Sequence, residues 1–102
     1  MTLEIRYFEA ALAELEAAVV WCRDHRPAHV ADRLLREVSD AVLELAELPR
    51  ACPVSPLDPR VRVRILRRIR YAIFYQLSDA ALFVAAIAHT SRRPGYWLDR
   101  LR

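Results

Sequence analysis

Between residues 60 and 88 three β patterns follow one another with only short breaks, and a chain built this way must form a sheet. "RVRVRIL" (60–66) alternates strictly, with Arg60, Arg62 and Arg64 on one side and Val61, Val63 and Ile65 on the other. "YAIFYQL" (71–77) is rich in aromatic and β-branched residues, which suit a pleated, half-buried surface. After the short turn Ser78-Asp79-Ala80, "ALFVAAIA" (81–88) is apolar throughout, which predicts a central strand covered on both faces.

The N-terminal half has a different period. "TLEIRY" (2–7) sets Leu3, Ile5 and Tyr7 against Glu4 and Arg6 and predicts a short strand. From Phe8 the apolar positions step by four and three (Phe8, Leu12, Leu15, Val19, Cys22), one face of a helix that ends near Arg26, because Pro27 disfavours helix in the residue before it. Pro27 also suits the first turn of a second helix, whose apolar stripe is Val30, Leu34, Val38, Ala41, Leu45 and Leu48, widened by Leu35 and Val42 and stopped by Pro49. Four prolines between residues 49 and 59 make a stiff extended connector, since neither side has a core of its own. The expected fold is therefore α+β, in the order β-α-α-β-β-β: an N-terminal helical hairpin packed on one face of a small, mainly antiparallel sheet, forming a single domain over residues 1–102. Those helices leave the second sheet face open, and the arginines of residues 60–66 are expected to lie on it.

Charge narrows the chemistry. All 16 basic residues are arginine, so no lysine chemistry is available, and every cationic contact is a guanidinium suited to carboxylate or phosphate. Residues 60–70 hold six arginines (Arg60, Arg62, Arg64, Arg67, Arg68, Arg70) and no acid, whereas residues 1–48 hold five arginines against ten acids. The C-terminal half is the electrostatically active one. Cys22 and Cys52 lack metal-ligand or redox spacing; Cys22 fits the core stripe of the first helix and Cys52 lies out in the proline loop. His25 and His29 straddle Pro27 and cannot share a helix face, so no metal site and no cofactor are expected. No stretch reads as a signal peptide, and no apolar run approaches the ~20 residues of a membrane span. The expectation is a cytoplasmic protein with reduced thiols and no membrane partner.

The order of elements, together with "RRIRYAIFYQLSDAALFVAAIAHTSRRPGYWLDR" (67–100), resembles the RelE/ParE superfamily of bacterial toxins from type II toxin–antitoxin systems. The Tyr-x-Ile-x-Tyr strand, the apolar strand ending at a histidine, and the Arg-Arg-Pro and Tyr-Trp that follow are similar to the ParE-like branch. The resemblance covers nearly the whole chain and is most specific over residues 67–100. It implies growth arrest by inhibition of DNA gyrase. It further implies silencing by a cognate ParD-like antitoxin with an acidic C-terminal segment, and contact with operator DNA only indirectly, through that antitoxin.

The alternative within the superfamily is a RelE-like ribosome-dependent mRNA endonuclease. That branch commonly places lysines where Arg62 and Arg64 stand, an arginine after the tyrosine that opens the next strand, another after the last strand, and a C-terminal tyrosine. Arginine keeps the charge but is a poor proton acceptor. The position after Tyr71 is Ala72, and the last of the expected arginines falls near Ser91, with Arg92 and Arg93 displaced. The chain is therefore read as a binding inhibitor without catalytic residues; a nuclease would have to use Arg62, Arg64, His89, Arg92, Arg93 and Tyr96. For the inhibitor, Arg62, Arg64, Arg67 and Arg70 are expected to receive the antitoxin, and Arg92, Arg93, Tyr96 and Trp97 to form the target-binding surface, with Trp97 also capping the core. His89 reads as a hydrogen-bonded residue at the end of a strand, with no carboxylate nearby in sequence to orient it as a base.

Overall fold

The computed structural model describes residues 2–101. Strand β1 (Glu4–Tyr7) leads into helices α1 (Glu9–His25) and α2 (Ala28–Glu47); β2 (Val54–Ser55), β3 (Asp58–Leu66), β4 (Tyr71–Leu77) and β5 (Ala81–His89) follow, and a 3-10 turn spans Leu98–Arg100. The five strands form one sheet in the order β1-β5-β4-β3-β2, with β1 parallel to β5 and every other pair antiparallel. The α+β layout is the expected one, with one addition: the proline connector is not merely extended but pairs as β2 against β3.

The helix boundary follows from Pro27. Arg26 before it is extended (φ −131°, ψ 163°), so α1 stops and α2 starts again one residue beyond the proline. The buried stripe of α1 is Ala11, Leu15, Val19 and Cys22, so Leu12, expected on that face, is instead 44% exposed. In α2 the stripe is as expected from Leu34 to Leu45, while Val30 is only half-buried and Ala31 takes the buried place. Leu48 falls beyond the helix end and is 68% exposed, and Leu35 sits on the outer flank. Helices and sheet enclose a core in which Leu34, Val38 and Leu45 meet Ile73, Tyr75, Leu82, Val84 and Ile87.

A register shift gives β5 its two faces. Tyr75 pairs with Val84 but Phe74 pairs with Ala86, which leaves Ala85 as the extra residue of a bulge. Val84 and Ile87 therefore both face the helices, while Ala86 turns to the other side. There a second, smaller core gathers Val61, Ala86 and Trp97, with Phe74, Tyr96 and Leu101 against it. The sheet face that the helices leave open is thus partly closed by the chain's own C-terminal segment.

Candidate functional site

The open sheet face carries a groove of about 270 Å³. Its floor is Val63, Ile65, Ala72, Phe74 and Ala88 on β3, β4 and β5, none of them titratable. Ile65, Ala72 and Ala88 stand opposite one another across the three strands. One wall is the β2 turn with Leu57, the other the segment after β5, which brings His89, Arg92 and Arg93 to the rim. That segment doubles back at Gly95, whose φ of +76° an L side chain rarely adopts. A Cβ there would stand 3.0 Å from Leu98 Cδ1 and 3.3 Å from Leu57 Cδ1. Trp97 then enters the second core, 1% exposed, its ring 4.9 Å from that of Phe74.

The C-terminal segment is tied down by an acid on α1. Glu14 Oε1 accepts from the Ile87 N–H at 3.0 Å and from Arg100 Nη1 at 2.9 Å; Glu14 Oε2 accepts from Arg100 Nη2 at 3.1 Å and from the Tyr96 hydroxyl at 2.5 Å. Arg100 Nη1 also donates to Ala85 O at 3.2 Å. β1 pairs with β5 only over Ala81–Val84, so the edge of β5 beyond that point has no strand beside it. The Glu14–Arg100 pair occupies Ile87 N–H and Ala85 C=O, the two groups a parallel neighbour would use, and so blunts the open edge. Burial pushes the Glu14 carboxyl up, but the hydrogen bonds from Arg100, Tyr96 and Ile87 and the Arg100 charge outweigh it and hold the group below its ordinary range. Burial, then the bond to Glu14, pushes the Tyr96 phenol up. Neither Glu14 nor Arg100 was marked by sequence reasoning; their partners lie 73 and 86 positions away and leave no local pattern.

The expected site residues separate into three places. Arg62 and Arg64 do not lie on the open face. In the register they stand beside Tyr75 and Ile73 of the helix-side core, while Val63 and Ile65 take the groove side. Arg62 Nη1 donates to Cys52 O at 2.6 Å and to Arg50 O at 3.4 Å, and Arg64 Nη2 to Glu44 at 3.1 Å. The reason is that the connector carbonyls and the end of α2 offer acceptors on that side, while Val61 is needed against Trp97. Arg60 bonds locally to Asp58. Cys52, placed in an open loop by sequence, is buried beneath this lattice at 9% exposure. Arg67 and Arg70 lie in the β3–β4 turn, apart from Arg62 and Arg64.

Arg92, Arg93 and Tyr96 do come together with Trp97, and the Arg92 guanidinium lies over the Tyr96 ring at 4.1 Å. His89 ends β5, exposed. The Ser91 N–H donates to its Nδ1 at 3.1 Å, so the neutral ring carries its proton on Nε2 and offers a donor outward. Among the described residues no group of three His, Cys, Asp or Glu side chains could hold a metal, and no helix is long and apolar enough to cross a membrane.

A family model described as the ParE toxin of the type II toxin–antitoxin system parDE matches residues 5–94. Among solved structures, a chain of the chromosomal ParDE toxin–antitoxin system from P. aeruginosa superposes with a TM-score of 0.75 at 15% identity, over 86% of this chain and 96% of that one. The E. coli toxin RelE, as a double arginine-to-alanine mutant in the free state, superposes with a TM-score of 0.67 at 20% identity over the whole of both chains. No curated protein matches the sequence.

Proposed function

The chain belongs to the ParE toxin family of type II toxin–antitoxin systems, and from that premise we propose that it is a binding inhibitor of DNA gyrase, working in the cytoplasm and silenced by a cognate antitoxin. The observation that carries this reading is the direction of Arg62 and Arg64. A nuclease on this fold would need them beside His89, Arg92, Arg93 and Tyr96, to activate a 2′-hydroxyl and stabilise a cyclising phosphate. They are turned to the other sheet face and bonded to Cys52 O and Glu44. The groove between is floored by Ala72 and Ala88, with no acid, base or cation on the floor.

What the face offers is a grip. Arg92, Arg93 and Tyr96 stand exposed or half-buried on a segment fixed by Trp97 and Glu14, an arrangement of arginine and aromatic anchors suited to a macromolecular target. The antitoxin is assigned to the groove, where apolar side chains of its C-terminal segment find Val63, Ile65 and Phe74 and its carboxylates find Arg67 and Arg70 at the groove's end. Arg62 and Arg64 are reached only by a segment that wraps the β2 edge, where Glu44 would have to be displaced from Arg64. The chromosomal ParDE toxin–antitoxin system, one chain of which shares the fold, supports a partner of this kind. The test is to add the purified protein to gyrase supercoiling and to ribosome-bound mRNA. Inhibited supercoiling with intact mRNA is expected; cleavage without a gyrase effect overturns the reading.

A further inference from the structure

The β3–β4 turn and the segment after β5 are separate in sequence but form one end of the molecule. Tyr71 pairs with His89, and the Thr90 N–H donates to Arg70 O at 2.8 Å across the seam. Five exposed arginines (Arg67, Arg68, Arg70, Arg92, Arg93) are thereby brought together. None forms an ion pair among the described residues. From residue 59 to residue 98 the only acid is Asp79, in the β4–β5 turn at the opposite end of the strands, and Glu14 of α1, which shares a pocket with His89 and Arg92, is already engaged by Arg100, Tyr96 and the Ile87 N–H. Holding that much like charge together costs folding energy unless an anion meets it.

The geometry points to the phosphate backbone of duplex DNA as the direct, sequence-independent ligand of this arginine end. Two observations select it. The exposed side chains of residues 67–70 and 90–94 are arginines with Thr90, Ser91 and Pro94, and no large apolar side chain among them is exposed. A protein partner such as the antitoxin takes its apolar anchorage in the neighbouring groove and reaches these arginines only at its margin, whereas phosphate contacts need only the guanidinium and hydroxyl groups that the patch itself carries. Nor is there a broad platform for unstacked bases. Trp97 is buried, and the Tyr96 ring is already taken by Arg92 at 4.1 Å and Arg100 at 5.0 Å. At this end that leaves the exposed His89 imidazole, edge-on to Tyr71 at 5.4 Å, a smaller stacking surface than a Tyr or Trp face. This contact does not depend on gyrase, and it is independent of any DNA held through an antitoxin.

The test uses the purified full-length chain alone, with a fluorescent mixed-sequence duplex of about 20 base pairs, read by anisotropy across a salt titration. Five phosphate contacts predict that log K falls with log salt at a slope of about −4.5. Replacing Arg67 and Arg68 by Gln and Arg70 by Asn, which tolerates Arg70's positive φ, is expected to flatten the slope by about 3 and weaken binding at low salt at least tenfold. The Arg→Lys version of the same three keeps the slope, because the charge is kept. No measurable duplex binding, or a wild-type slope near zero, overturns the proposal without need of any variant. So does a single strand of equal length bound tenfold more tightly than the duplex. An oligoglutamate of equal charge bound tenfold more tightly assigns the patch to a protein partner and also overturns it. Gyrase assays stand apart: supercoiling inhibition that survives the Gln/Asn changes would retain the gyrase reading while placing DNA contact outside it.

Discussion

Glu14 on α1 and Arg100 in the last turn hold each other at 2.9 Å while bonding Ile87 N–H and Ala85 C=O of β5 between them. One ion pair therefore stands in for a missing strand and fastens the C-terminal segment to the body. Glu14→Ala leaves the Ile87 N–H and the Tyr96 hydroxyl without their acceptor and the half-buried Arg100 guanidinium without its counter-charge, hydrogen-bonded to Ala85 O alone. A loss of about 2–3 kcal/mol is expected, from the cost of stranding such groups. Urea unfolding in a Trp21→Phe background checks it, because Trp97 is then the only indole, and its emission should shift to the red before the far-ultraviolet signal is lost.

The same contact sets an acid limit. The Glu14 carboxyl lies below its ordinary value of 4.5 in the folded chain. A depressed pKa means the stabilisation is complete above 4.5 and is lost as pH falls from there through the folded value. The wild type should lose stability over that window more steeply than Glu14→Gln. The difference between the two, measured by thermal unfolding at a series of pH values, should shrink as pH falls and be largest above about 5. A constant difference across the window would separate the ion pair from the acid response.

Gly95 makes a second, independent claim on the same segment. With φ at +76° and the Leu98 and Leu57 methyls within 3.3 Å of where a Cβ would stand, Gly95→Ala combines backbone strain with a contact that must yield. A cost of roughly 1–2 kcal/mol is expected. Burial of Trp97 should loosen, seen as faster acrylamide quenching in the Trp21→Phe background, while helix content holds.

Elements and their order were legible because hydrophobic period depends on local geometry. The switch from steps of two to steps of three and four, the break at Pro27 and the apolar run of β5 all match what formed. The faces of β3 were not legible. Alternation says that Arg62 and Val63 point opposite ways, but only the positions of Trp97 and of the Cys52 carbonyl decide which way is out. Leu12 and Leu48 misled for a related reason, since a period tolerates a neighbour one step round the helix and Ala11 took the buried place. Within the site, the grouping of Arg92, Arg93, Tyr96 and Trp97 was readable from "RRPGYW", but the Glu14 clamp that fixes the segment was not. Glu14 shares α1 with Glu9, Glu16 and Asp24, and nothing local marks which of them meets a partner 82 residues away.

The lattice under Arg62 can be tested through the thiol it covers. Arg62 spans Cys52 O and Arg50 O, and the Tyr75 hydroxyl donates to Pro49 O at 2.8 Å, so the connector from Pro49 to Cys52 hangs on two side chains. Arg62→Ala should cost about 1–2 kcal/mol and release the loop locally. Cys52, 9% exposed in the intact chain, should then react with a thiol reagent at least tenfold faster, and trypsin should cut after Arg50 under conditions that leave the wild type whole. Cys22, inside the helical hairpin, serves as the internal control, because its reactivity should change only if the whole domain opens.

Ala72→Arg separates the two toxin readings most sharply. Ala72 stands at the centre of the groove floor, 6% exposed, opposite Ile65 and Ala88. An arginine there projects into open groove space, so the overpacking cost should stay at about 1–3 kcal/mol and the fold should persist. If Ala72 were the one group missing from a latent nuclease, the substitution would raise mRNA cleavage. The geometry argues otherwise. The new guanidinium would meet His89, whose Nδ1 already accepts the Ser91 N–H, and would still lack Arg62 and Arg64, held on the far face by Cys52 O and Glu44. No gain in ribosome-dependent cleavage is expected. An apolar antitoxin segment, by contrast, should bind at least tenfold more weakly, because a charge now occupies its groove; isothermal titration with the antitoxin's C-terminal peptide reads that directly. Cleavage that rises while peptide binding is unchanged would reverse both assignments at once.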